Sequence, residues 1–313
     1  MSQPAGKIRS VLIAGPTASG KSGLALALAQ ATGGVVINAD SMQVYDGLRI
    51  LTARPSDADL ALAEHRLYGH VPPDADYSVG AWAKDATAVL AELEAEGRMP
   101  IVCGGTGLYF KALLGGIDVM PEIPADIREA CRARMAAEGP ERLHAELTLR
   151  DPETASRLKP GDPQRITRAL EILETTGRPL AELQRGTGRA LLDGDTALKI
   201  LMTPPRPVLR DNIARRFDAM LAEGALAEAE AFTAIPGAMA GTAGKAIGVA
   251  ELAEHLDGLC SLDMAVNRAV TRSRQYAKRQ ETWFRHQFDA EWLSVTEHLA
   301  AIQAHLIDRV KHR

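Results

Sequence analysis

Residues 15–22, GPTASGKS, have the spacing G-x-x-x-x-G-K-[ST] that grips phosphate. Glycines let backbone N–H groups turn inward on phosphate oxygens, and a helix starting after the loop adds positive potential. Lys21 brings a mobile charge and Ser22 a hydroxyl suited to magnesium, so Gly15, Pro16, Thr17, Ala18, Ser19, Gly20, Lys21 and Ser22 are the expected cradle for a diphosphate or polyphosphate. The loop alone does not say whether that group belongs to ATP or to another diphosphate.

Asp40, in NADSMQVYDGL, closes a predicted strand at the carboxyl edge of a parallel sheet, where open α/β folds place ligands. Such a carboxylate can bind magnesium or take a proton from an acceptor, and it can equally cap a following helix. Thr106, in CGGTGLYF, stands between a strand and a helix, where its hydroxyl either donates to a leaving diphosphate or caps the helix. Arg216 neighbours Ile213, Phe217 and Met220, which mark a buried helix face, so by pattern alone it is a solvated residue. Further on, Arg268, Arg272, Arg274, Lys278, Arg279 and Arg285 face one acid, Glu281, over residues 267–285. The spacing of Arg268, Arg272, Gln275 and Arg279 makes one polar helix stripe, either a solvated face or a grip on a polyanion. In DPQRITRALEIL, Gln164, Arg165 and Arg168 near a helix start suit base edges and phosphates, with a surface ion-pair network as the plain alternative.

The elements that hold these residues alternate. Val11 to Ala14, the phosphate loop and KSGLALALAQA read as strand, loop and helix. GGVVINAD, AWAKDATAVLAELEAEG and MPIVCGGTGLYFKALL continue as strand, helix and strand–turn–helix, which implies a parallel sheet covered by helices. From about residue 115 to 194 strands vanish and proline-punctuated helical segments follow one another. TALKILMTP then returns as a strand, followed by helical stretches. The reading is a P-loop NTPase-like α/β core over residues 1–115 and 195–313, interrupted by an all-helical insertion over 116–194.

Composition narrows the setting. The chain has 313 residues, 46% of them hydrophobic, and a formal charge of −4, so any contact with nucleic acid must come from local basic patches. Its three cysteines, Cys103, Cys131 and Cys260, are odd in number and form no CxxC pair, which fits free thiols in a reducing cytosol. No histidine or cysteine spacing suits a zinc site, and no apolar run is long enough for a membrane span. A cytoplasmic, monomeric protein without membrane attachment is expected.

Taken together, GPTASGKS, ADSMQVYDGL, GGTGLYFKALL, DPQRITRALEI and RQYAKRQETWFR resemble, in order, the motifs of the tRNA dimethylallyltransferase family, also called tRNA isopentenyltransferases. The resemblance implies that the loop holds dimethylallyl diphosphate rather than ATP. It implies transfer of the dimethylallyl group to the N6 amine of the adenosine at tRNA position 37, with magnesium as cofactor and diphosphate as leaving product. Carried over by motif, Asp40 is the general base, Thr106 and Arg216 stabilise the diphosphate, and Ser22 is the magnesium ligand. Contacts to tRNA fall on Asp40, Ser41, Met42, Gln43, Thr106, Arg128, Gln164, Arg165, Ile166, Thr167, Arg168, Lys245, Ala246, Ile247, Gly248, Val249 and Ala250. The insertion corresponds to a swivel domain that grips the anticodon stem-loop.

Three segments depart from the family pattern: Gly248-Val249-Ala250 lacks the usual tyrosine and the basic or polar residue after it, Ser22 replaces a common threonine, and Asn212 stands where arginine is frequent. With no C-terminal zinc-finger extension in the sequence, a bacterial-type member is expected. The rival readings are an adenylate isopentenyltransferase, a small-molecule P-loop kinase and a non-catalytic tRNA-binding protein. The first two give no use to a helical insertion and a basic C-terminal helix, and the third leaves the phosphate loop and Asp40 unexplained.

Overall fold

A computed structural model describes residues 8–118, 120–184, 188–296, 304, 307, 308 and 310. These divide into two compact units, residues 115–190 and the remainder.

The larger unit is built on short, mostly apolar strands. They are β1 (Ser10–Ala14), β2 (Val35–Asn38), β3 (His65–Arg66), β4 (Pro100–Gly104), β5 (Ala197–Met202) and β6 (Leu293–Val295). They form one sheet in the order β3-β2-β4-β1-β5-β6, with every pairing parallel. Parallel neighbours need crossovers, and helices supply them. Val11, Leu12 and Ile13 of the central strand have no exposed surface, as expected of strands covered on both faces, and each contributes about 1.5–3 kcal/mol on burial. The carboxyl ends of β1, β2 and β4 lie side by side, because Ala14 pairs with Gly104 and Asn38 with Cys103. The loop after β1, Asp40 after β2 and Thr106 after β4 therefore share one sheet edge. This is the P-loop NTPase-like arrangement.

Around the sheet run α1 (Lys21–Thr32), α2 (Asp57–Leu62), α3 (Val79–Glu96) and α4 (Gly107–Leu113). The helical unit comprises α5 (Ala125–Glu138), α6 (Pro140–Arg150), α7 (Pro152–Ser156), α8 (Pro163–Thr176) and α9 (Leu180–Leu183). After it come α10 (Arg206–Glu223), α11 (Ala225–Thr233), α12 (Val249–Leu256) and α13 (Leu262–Gln287). The run from Pro207 to Phe232, which reads as one helix, breaks at Gly224, whose φ of 111° ends α10. The return from the helical unit comes before residue 194, because the Leu191 and Leu192 N–H groups both donate to the Leu113 carbonyl.

The helical unit has its own core, formed by Ile123, Cys131, Leu143, Leu147, Ile166, Ala169 and Leu170 among others. Proline at the first turn of α6, α7 and α8 costs no hydrogen bond, since those N–H groups have no partner within the helix. Asp162 caps α8 by accepting the Arg165 N–H, and Gly177 closes it in the left-handed conformation. The buried Asp151 carboxylate accepts from Thr154 N and Leu180 N, both at 3.0 Å, and so ties α7 to α9. Among the described residues no helix is long and apolar enough to cross a membrane.

Candidate active site

The phosphate loop begins where β1 ends. Gly15 has no room for a side chain, since a Cβ there would lie 2.8 Å from Ser19 Oγ and 2.9 Å from Met202 Cβ. Ala18 and Gly20 both have positive φ, 62° and 90°, and curl the backbone into a nest before α1 starts at Lys21. Lys21 is buried and its ammonium folds back to donate to the Pro16 carbonyl at 3.3 Å. Burial holds its pKa below the lysine value of 10.5, partly offset by the carboxylate of Asp40. Ser22 is exposed at the first turn of α1.

Arg216, which pattern alone leaves in solvent, is turned into this site from α10. Its guanidinium donates to Thr17 Oγ1 at 3.3 Å, and burial lowers its pKa, with Asp40 acting in the opposite direction. Asn212, one turn earlier, donates from Nδ2 to the Ala18 carbonyl at 3.2 Å and pins the left-handed turn.

Asp40 is set by a buried frame. Asn38, with no exposed surface, accepts the Asp40 N–H at 2.8 Å and donates to the Asp40 and Leu67 carbonyls at 3.0 Å. Trp82 Nε1 donates to the Asn38 carbonyl at 2.9 Å. Asp40 Oδ1 accepts the Met42 N–H at 3.0 Å, closing a turn rather than capping a helix. Among the described residues Oδ2 accepts no hydrogen bond. Thr106 does not cap α4 either. Its Oγ1 accepts the Ser41 N–H at 2.9 Å and donates to Ser41 Oγ at 3.2 Å, while its own N–H donates to the Ala39 carbonyl. The strand ends are packed so tightly here that a Cβ on Gly104 would lie 2.0 Å from the Ala39 carbonyl oxygen.

A cleft opens over these groups. Its lining includes Thr17, Ala18, Asp40 and Arg216 together with the apolar Leu51, Ile213, Phe217, Met220, Ala246 and Ile247, with Met42, Thr52, Ser273 and Tyr276 completing it. A polyanion suits the first set of groups and a small hydrocarbon the second. Lys21 and Arg216 are two partly or fully buried cations near a single carboxylate, an arrangement left with net positive charge until an anion arrives.

The remaining sequence-derived positions are distributed unevenly. Ser41 and Met42 are half-buried at the cleft, whereas the Gln43 amide is committed to the Thr52 and Ala53 carbonyls, both at 2.8 Å. Lys245 is exposed, Ala246 and Ile247 line the cleft, and Gly248 carries a φ of 102°. Val249 has no exposed surface, so its side chain belongs to the core. Ile166 is likewise fully buried, in the core of the helical unit. Gln164 and Arg165 on α8 are exposed, and Arg128, Thr167 and Arg168 are half-buried, Arg168 pairing with Glu171 at 3.4 Å.

The basic stripe of α13 is less one-sided than its own sequence suggests, because α12 brings Glu254 to Arg268 and the buried Glu251 to Arg272. Sequence reasoning passed over Asn38, Trp82 and Gln280. The signal for Gln280 was present: it falls between Ala277 and Phe284, at spacings of three and four, on the apolar face of α13.

Comparison with known proteins gives one consistent answer. The model of the IPP transferase family matches residues 43–287, and that of isopentenyl transferases matches residues 8–70. A tRNA dimethylallyltransferase of Agrobacterium fabrum is 53% identical over 286 residues, covering 91% of this chain and 96% of the relative. The crystal structure of the tRNA isopentenylpyrophosphate transferase of Bacillus halodurans superposes with a TM-score of 0.67 at 32% identity, covering 98% of each chain. A eukaryotic dimethylallyltransferase captured acting on tRNA gives a TM-score of 0.80 at 26% identity, covering 97% of this chain and 80% of that one. With a family model spanning most of its length and relatives of one activity along nearly all of it, the chain belongs to the IPP transferase family, the prenyltransferases named tRNA dimethylallyltransferases.

Proposed function

We propose that the protein transfers the dimethylallyl group of dimethylallyl diphosphate to the N6 amine of adenosine 37 in a tRNA anticodon stem-loop. The observation that carries this reading is the mixed lining of the cleft, in which Arg216 and Asp40 occur together with Leu51, Ile213, Phe217 and Met220, while the adjoining loop holds a second cation, the buried Lys21. The diphosphate lies along the loop of residues 15–22 and the five-carbon chain against the apolar residues of the lining.

In the reaction the C1–O bond to diphosphate breaks and a bond forms from N6 of adenine to C1. Negative charge grows on the leaving oxygen, and Lys21, Arg216 and the Thr106 hydroxyl are the donors that meet it. The amine proton passes to Asp40 Oδ2, which accepts no hydrogen bond among the described residues, Oδ1 being the one that holds the Met42 N–H. An adenine amine is a weak nucleophile, so a carboxylate within reach as the new bond develops lowers the barrier.

The residues present also fit a magnesium ion. Among the described residues no group of three or more His, Cys, Asp or Glu could hold a metal, but magnesium commonly keeps its waters and takes one or two protein oxygens beside substrate phosphates. The exposed Ser22 hydroxyl would be the protein ligand, and the ion would neutralise charge on the diphosphate.

The target base must leave its stack, which costs a few kcal/mol and is offset by protein contacts. Gln164, Arg165, Thr167, Arg168 and Arg128 of the helical unit, together with Lys245, supply them, and the unit acts as the grip on the stem-loop. The protein acts in the cytoplasm as a monomer.

The test is transfer of labelled dimethylallyl groups to an unmodified anticodon stem-loop and, in parallel, to free AMP, with ATP hydrolysis followed alongside. Label on the stem-loop is the expected result. Label on AMP alone, or ATP turnover without label, would overturn the proposal.

A further inference from the structure

Gln280 is only 5% exposed and sits where the helical period of α13 otherwise places apolar side chains. Its amide is fully engaged: Oε1 accepts the Thr17 N–H at 2.9 Å and Nε2 donates to the Gly105 carbonyl at 2.9 Å. These two partners are backbone groups, one in the phosphate loop and one in the turn after β4, and the Tyr276 hydroxyl is a side-chain partner of the same amide. The fit is close enough to dictate the neighbours. A Cβ on Gly105 would lie 2.2 Å from Gln280 Nε2, and one on Gly107 would lie 2.1 Å from the Trp283 ring.

Each partner is one covalent step from the chemistry. Thr17 carries the Oγ1 that receives the Arg216 guanidinium at 3.3 Å. Gly105 precedes Thr106, whose Oγ1 holds Ser41, the residue after Asp40. The same Gly105 Cα faces the base itself, since a Cβ built on it would be 3.4 Å from Asp40 Oδ2. A continuous path thus runs Arg216–Thr17–Gln280–Gly105–Thr106–Ser41, from the leaving-group side of the cleft to the acceptor side.

Resting on the prenyl-transfer reading above, we infer that Gln280 is a positioning residue which fixes the distance between the phosphate loop and the turn after β4, and through Thr106 and Ser41 the distance from that loop to Asp40. It touches neither substrate. In a displacement the entering nitrogen, the transferred carbon and the leaving oxygen must lie in line, and a shift of about 1 Å between the two sides costs on the order of a hundredfold in rate. A core amide with a merely structural role would affect folding and leave the rate of folded protein alone.

The experiment uses the full chain, with kcat and KM measured for stem-loop and prenyl donor, and with thermal melting recorded alongside. Gln280→Met keeps the volume and removes both hydrogen bonds. Its kcat should fall about a hundredfold while KM for the stem-loop stays within about twofold. Gln280→Glu keeps an acceptor for Thr17 N–H and loses the donor to Gly105 when ionised, but regains it when protonated. Its activity relative to the unsubstituted protein should therefore rise as pH falls from about 8.5 to about 6, because burial raises the carboxyl's pKa. Taking the ratio cancels groups common to both proteins, Asp40 first among them.

A folded Met variant with unchanged kcat, or a folded Glu variant whose relative activity is flat with pH, overturns the inference. If the Glu variant does not fold, the Met variant decides. No transfer by the unsubstituted protein overturns the activity and this inference with it, whereas equal transfer by the unsubstituted protein and the Met variant overturns this inference alone.

Discussion

Replacing Arg216 by glutamine separates two roles that predict opposite signs. If the guanidinium served the fold, its loss would destabilise the protein. Its surroundings argue otherwise: burial is the largest influence on it and lowers its pKa, Asp40 only partly compensates, and its hydrogen bond to Thr17 Oγ1, at 3.3 Å, is long for an N–H···O bond. A half-buried cation so incompletely partnered is a cost to the free protein. Glutamine keeps most of the stem and removes the charge, so thermal melting should stay level or rise by up to about 2 °C, equivalent to a gain below about 1 kcal/mol. Catalysis should move the other way. Loss of one preorganised donor to a developing anion costs about 10²–10³ in kcat, or roughly 2.7–4 kcal/mol. The assay is steady-state transfer to a stem-loop, paired with a melt in the absence of diphosphate. A variant that melts several degrees lower while keeping its kcat would refute the reasoning and return Arg216 to a structural role.

Three further outcomes follow from the same geometry. Asp40→Asn should lower kcat by about 10²–10⁴ while stem-loop affinity by gel retardation is unchanged, and an unaltered rate would remove Asp40 as the base. Because burial lowers the pKa of Lys21, its ammonium is lost below the usual 10.5 as pH rises. Inhibition by free diphosphate should accordingly weaken with rising pH, with a midpoint under 10.5 that disappears in Lys21→Arg. Gly248→Ala places a Cβ at a φ of 102° and 2.7 Å from Leu51 Cδ2, which should cost about 1–3 kcal/mol in a denaturant melt. Since Leu51 lines the cleft, KM for the prenyl donor should rise as well.

The strand–loop–helix units at the start of the chain were legible because hydrophobic runs, glycines and helix formers follow one another locally. The edge strands β3 and β6 were not, since two and three residues carry no period. The break at Gly224 was hidden by the strong helix formers on both sides of it. Arg216 shows the limit for the site. Its helix pattern says solvent, and only the packing of α10 against the phosphate loop turns it inward. The α13 stripe shows the converse, because a count confined to residues 267–285 omits the acids that α12 brings across, Glu251 and Glu254. Asp40 and Thr106 could be located at the sheet edge from sequence, but the choice between cap and free functional group lay in hydrogen bonds to Met42 and Ser41.

Asn212 is where these lines of reasoning meet. An arginine there would put a second guanidinium one turn before Arg216 and a third cation near Asp40. The asparagine does something different. Its Nδ2 holds the Ala18 carbonyl at 3.2 Å, at the one residue of the loop that adopts a left-handed turn without being glycine, with a φ of 62°. Left-handed backbone at alanine is strained, and an amide on its carbonyl is a direct way to hold it. The Oδ1 of the same amide accepts the Arg215 guanidinium at 2.7 Å, so a positive charge stands behind the loop, one hydrogen bond further from the cleft. A neutral clamp with a cation behind it keeps the nest in shape and reduces like-charge repulsion on Lys21 and Arg216. In the proposed reaction Lys21 and Arg216 are then the two cations that meet the diphosphate.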